Sequence, residues 1–150
     1  MSDAVTRPLI VAIIASVANI GKVYAYERWA ADWGAFIALF KTTISGVPQI
    51  RGWEVSRKGR AESLETLGGG MAATDVRQIY VIRGYLGLSD KDNTEKTFND
   101  LIDAIAAAFA AAQLGGHITH DYIQVEKIEP RLFGSILCHY AELTLTITED

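Results

Sequence analysis

The sequence predicts an α+β fold: a single domain, 1–150, with a mainly antiparallel sheet and helices packed on one face. Three observations lead there. Apolar residues recur at three- and four-residue spacing over 9–20 and again over 98–109, which marks two amphipathic helices. Alternating or β-branched segments recur at 49–57, 77–88, 118–128 and 133–148, which marks strands. The connections between strands are mostly hairpin-like rather than regular strand–helix–strand crossovers, so the helices are left to cover the sheet.

Each element has its own justification. Leu9, Ile10, Ile13, Ile14, Val17 and Ile20 form the apolar face of a first helix, with Pro8 in its first turn and Gly21 at its end. The stretch KVYAYERW alternates as a strand does. Trp33, Phe36, Ile37 and Phe40 return to helical spacing and predict a short second helix within 31–43, broken off by Gly46 and Pro48. In the strand at 49–57, Trp53 and Val55 occupy one face, while Gly52, Glu54 and Ser56 occupy an exposed one. The strand at 77–88 carries apolar residues on both faces.

Between these two strands the length of the connection and the run Gly68, Gly69, Gly70 predict a long flexible loop at about 57–76. Asp92 and Glu95 have capping-box spacing ahead of the stripe Phe98, Leu101, Ile102, Ile105 and Phe109. Gly115 and Gly116 are expected to stop that helix just after Leu114. Two final strands turn near Pro130. In the second, His139 falls with Leu137, Ala141, Leu143, Leu145 and Ile147 on the apolar face, opposite Tyr140, Glu142, Thr144, Thr146 and Thr148.

Composition narrows the function classes. A chain of 150 residues, 49% hydrophobic and 21% charged, buries a core without needing disulfides or a metal. Cys138 is the one cysteine, so no intrachain disulfide forms and a reducing, cytoplasmic setting is expected. The run PLIVAIIASVA falls short of the roughly 20 residues of a membrane span. Asp3 beside Arg7 removes the positive bias of a secretory leader, so a core helix is the expectation.

A net charge of −4 argues against bulk nucleic-acid binding. The charge is unevenly divided, +1 over residues 1–75 and −5 over 76–150. Arg57, Lys58 and Arg60 form a basic stretch, and Asp100 and Asp103 lie on the polar face of the long helix. These five are the candidate protein-interaction residues. Opposite charges on separate patches of one subunit favour a head-to-tail contact, which closes into a ring when the rotation permits.

Neither a cofactor nor a catalytic or metal-binding set is expected. His117 and His120, three apart on a strand, point to opposite faces and do not chelate together. The segment SVANIGKV has Ser16 where a P-loop needs glycine and Val23 where it needs Ser or Thr. There is no GxSxG, and Cys138 and His139 are strand neighbours on opposite faces. His139 reads as a hydrogen-bonded core histidine.

The run PLIVAIIASVANIG into GKVYAYERW, the strands GWEVSR and IYVIRGYLGL, the helix FNDLIDAIAAAF and the closing HYAELTLTITED together resemble the tail terminator, or tail-completion, proteins of long-tailed bacteriophages. As an order of elements the resemblance spans nearly the whole chain. It implies a structural virion protein with no catalytic residues, forming a ring, expected to be hexameric, that caps the head-proximal end of the tail tube and stops its polymerisation. The implied partners are further copies of the chain, the major tail-tube protein and the head–tail connector or stopper. The resemblance implies no membrane and no sequence-specific nucleic-acid binding, with the ring lumen as a passage for DNA. The implied location is the virion tail, assembled in the host cytoplasm.

The segment WAADWGAFIALFK departs from the family pattern. The residues themselves leave open another neck or tail protein: a stopper, an adaptor or a tube subunit. They also leave open a small cytoplasmic ligand-binding domain or enzyme with an apolar pocket near Trp29, Trp33, Trp53 and His139.

Overall fold

The computed structural model describes residues 2–67 and 71–149. Helix α1, Asp3–Ala15, starts ahead of the apolar stripe because polar groups organise its first turns. The Ser2 carbonyl accepts the Val5 and Thr6 amides, and Arg7 reaches back one turn to Asp3. Pro8 therefore stands in the second turn rather than the first. Strand β1, Lys22–Tyr24, leads to helix α2, Trp33–Ala38, and on to β2, Lys41–Ile44. Strand β2 is not among the elements the sequence predicts, which places 41–43 in the second helix segment. Ser45 and Gly46, both at positive φ, make the two-residue turn that folds β2 onto β3, as a type I′ hairpin requires.

Strand β3, Val47–Leu67, and strand β4, Met71–Gly87, pair antiparallel in one long hairpin. The expected loop at 57–76 is thus strand over its described residues, with one bulge between Arg57 and Gly59. The length of the connection and its glycine run predict a loop, yet cross-strand pairing supplies the backbone hydrogen bonds a loop would lack. Gly68, Gly69 and Gly70 lie outside the described residues.

A short 3₁₀ turn, Asp90–Asp92, precedes helix α3, Thr94–Ala111. The expected capping box at Asp92 is not made. Asn93 occupies the N-cap position in the left-handed conformation without a side-chain cap bond, and Asp92 receives the Ser89 hydroxyl. The helix ends at Ala111 rather than after Leu114, because Ala112 is already extended. The last strands are β5, Ile118–His120, β6, Gln124–Phe133, and β7, Ile136–Glu149. Pro130 sits within β6 opposite His139, which an outer strand tolerates, and the turn falls at Gly134 instead.

The seven strands form one curled sheet, ordered β1-β3-β4-β7-β5, with β2 on β3 and β6 on β7. The fold is α+β as expected, but the sheet is mixed: β1 runs parallel to β3, and the other pairs are antiparallel. Helices α1 and α3 cover one face. There Ile10, Ile14, Phe98, Ile105 and Phe109 bury Trp53, Val55, Ile82, Leu143 and Leu145.

Helices on one face only is corrected by α2. Phe36, Ile37 and Phe40 pack on the opposite face against Tyr85, Phe133, Cys138 and Tyr140. The cause is the even spacing of the sheet: β4 and β7 place large apolar side chains on both faces, so both need covering. Among the described residues no helix is long and apolar enough to cross a membrane.

Candidate functional site

Two features stand out from the folded body, an uncovered hairpin arm and a pocket on the α2 face. The arm follows from unequal strand lengths. Strand β7 pairs with β4 only from Val76 onward, opposite Glu149, so residues 63–67 and 71–75 continue as two strands with no third beside them among the described residues. At roughly 3.3 Å per residue this carries the arm on the order of 15 Å beyond the sheet. Leu64 on it is 70% exposed. The outer edge of β3 over 55–67 pairs with no strand among the described residues, and neither does the outer edge of β6.

Arg57, Lys58 and Arg60 lie on strand at the root of this arm, all exposed. Arg57 donates to the Gln78 side chain at 3.3 Å, Lys58 occupies the bulge, and Arg60 pairs with Glu62. Asp100 and Asp103 stand on the exposed face of α3. Among the described residues no ion pair joins the two sets, so within one subunit they remain separate patches.

The pocket begins with strand register. Glu54, Arg83 and Glu142 align on one rung across β3, β4 and β7, and Tyr85 and Tyr140 form the next. The segment between β1 and α2 crosses above them. Asp32 anchors its far end, accepting the Ala35 amide at 2.8 Å as the α2 cap. Beneath the segment lies an open pocket of about 640 Å³, with Trp29 and Trp33 at its mouth and Phe36 and Phe133 in its walls.

Glu54 is 2% exposed. Its two carboxylate oxygens accept the Tyr85 hydroxyl at 2.9 Å and the Arg28 amide at 3.0 Å. Burial raises its pKa above the usual carboxylate value, despite these bonds. Glu142 shifts the other way: the Tyr140 hydroxyl bonded to it holds its carboxyl low, against some burial and with help from Arg83. Tyr140 is in turn pushed up to about 12, by burial and by Glu142.

Arg83 lies 3.6 Å from Glu27 and 3.9 Å from Glu142, and donates to Ser56. Arg131 rests on the Tyr140 ring, 3.9 Å from its centroid, and Arg28 lies over Tyr24.

A single pocket joining Trp29, Trp33, Trp53 and His139 does not form. Trp53 and His139 are on the other face of the sheet, each stacked on Phe98 of α3. His139 is a core histidine as expected, bonded through Nε2 to the Thr94 hydroxyl at 2.8 Å, and burial lowers its pKa. His117 is exposed, while His120 bonds the backbone carbonyls of Ala112 and Asp121.

The described residues contain no cluster of His, Cys, Asp and Glu arranged to hold a metal. The sequence reading missed Glu54, assigned to an exposed face. The available signal was its position between Trp53 and Val55 in a strand that the second helix has to cover. No protein-family model matches the chain, and no curated protein matches it either.

Proposed function

We propose that this chain is a ring-forming structural subunit similar to the phage tail terminators, which caps a tube of other subunits and stops its growth. The observation that carries this reading is the arm, together with the open outer edges of β3 and β6. An isolated two-stranded hairpin is marginally stable in water, and an unpaired edge is a template for another chain. A subunit with both gains most when a neighbour covers them.

Strand addition between the β3 edge of one copy and the β6 edge of the next is a heterologous contact, and such contacts close into rings. The basic arm root and the acidic face of α3 give that contact a direction. Several weak contacts made together hold such a cap on a tube end far more tightly than any one of them.

The test is the mass of the purified protein by sedimentation, followed by electron microscopy with tail tubes. Rings, or monomers that form rings only on tube ends and halt their growth, support the reading. Replacing residues 63–75 by a two-residue Asn-Gly turn should leave a folded body that no longer forms rings. A body that still caps tubes without the arm would overturn it, as would a monomer indifferent to tubes. Unlimited stacking would make it a tube subunit instead.

A further inference from the structure

The pocket on the α2 face is independent of the arm. We infer that it is a docking site for an arginine or lysine side chain presented by a segment of a partner protein.

The argument starts from charge. Four carboxylates line the pocket, Glu27, Asp32, Glu54 and Glu142, against three guanidinium groups. Two of those are turned onto rings, Arg131 on Tyr140 and Arg28 on Tyr24 and Tyr26, and Arg131 is also paired with Glu129. The third, Arg83, is shared between Glu27 and Glu142 at 3.6 and 3.9 Å.

Glu54, with the Arg83 charge across the strand pair, accepts hydrogen bonds from two uncharged donors only, a hydroxyl and a backbone amide. Each carboxylate oxygen has a second lone pair to offer. A buried carboxylate in that position gains most from a cation that brings several N–H donors.

The shape points to a side chain on a polypeptide rather than to a free ion. The pocket lies in the size range of ligand sites, roughly 300–1,000 Å³. Its mouth carries Trp29, 78% exposed, and Trp33, 57% exposed, and Tyr26 beside Arg28 is 56% exposed. Exposed aromatics grouped around a pocket with charged side chains in its floor have the composition of an interface anchor. A bare cation would fill the polar floor and leave those rings wet. A peptide brings apolar atoms to cover them, and the rings attract the cation as it enters.

The test uses the three tryptophans, labelled as 5-fluorotryptophan and read by ¹⁹F NMR at neutral pH. The probe is the blocked tripeptide acetyl-Gly-Arg-Gly-amide, with the citrulline and glutamate tripeptides and guanidinium chloride as controls. The expected result is a saturable shift at Trp29 and Trp33 with the arginine tripeptide, none at Trp53 on the other face, and at least fivefold weaker binding in Glu27→Gln/Glu142→Gln.

Both glutamates are partly exposed, with side chains 38% and 30% accessible, and an unchanged circular dichroism spectrum checks that the variant is folded. Equal binding of the citrulline tripeptide would reduce the site to an apolar cleft and overturn the assignment. Preferential binding of the glutamate tripeptide would reverse its sign. An equal response to guanidinium chloride, or no saturable shift with the arginine tripeptide, would also overturn it. None of these outcomes bears on ring formation.

Discussion

Gly84 of β4 faces Trp53 of β3 directly across the hairpin, and the indole ring of Trp53 lies over the position a Cβ at residue 84 would occupy. The ring is held there from two sides. Its Nε1–H donates to the Ile20 carbonyl at 3.1 Å, and Phe98 of α3 stacks on it at 5.7 Å. The glycine is required by this approach rather than by its backbone angles. It lets a large side chain lie flat between sheet and helices.

Gly84→Ala should therefore act as an overpacking change and cost about 1–3 kcal/mol, measured by urea denaturation. Trp53→Phe, which shortens the ring system, should recover part of that loss in the double variant. Additive losses would show that the two positions do not share one space.

Glu54 and Glu142 should respond to pH in opposite senses. Burial raises the folded pKa of Glu54, so its penalty is absent below the unfolded value and grows as pH rises through the folded one. Glu142, held low mainly by Tyr140, contributes stability above the unfolded pKa that is lost as pH falls through the folded one. Relative to wild type, Glu54→Gln should thus improve between pH 3 and pH 7, and Glu142→Gln should worsen. Denaturation midpoints across that range check both signs.

Lys58→Glu/Arg60→Glu should weaken the contact between copies while leaving the fold intact, since both side chains are exposed and Arg57 keeps its bond to Gln78. Adding Asp100→Lys/Asp103→Lys should restore assembly if the two patches meet. Sedimentation velocity of the three proteins reads this out. Unchanged association in the first variant would remove the basic root from the interface.

Cys138 should be inert in the folded protein. It is fully buried beneath α2, and burial pushes its thiol up to about 11, so little thiolate exists at neutral pH. A chromogenic disulfide reagent at pH 8 should react only at the rate of unfolding, and fully in denaturant. Rapid labelling of the folded protein would show that the α2 face opens.

The long helix was legible because Phe98, Leu101, Ile102, Ile105 and Phe109 repeat on one face, and all five are buried. The closing strand was legible because Ala141, Leu143, Leu145 and Ile147 alternate with polar residues. His139 was placed correctly for the same reason. The arm was not legible. Pairing between residues as far apart as Leu64 and Thr74 adds no period that a glycine-rich connection lacks, so strand and loop have the same composition there.

The pocket was hidden for a different reason. Glu54, Arg83 and Glu142 come from three strands and meet only through register. Local periodicity, set by which face of each element avoids water, was thus determined by the sequence alone. Which faces meet, which edges stay open and which carboxylate is buried were decided by the tertiary structure, because hydrogen-bond register and burial arise between distant segments.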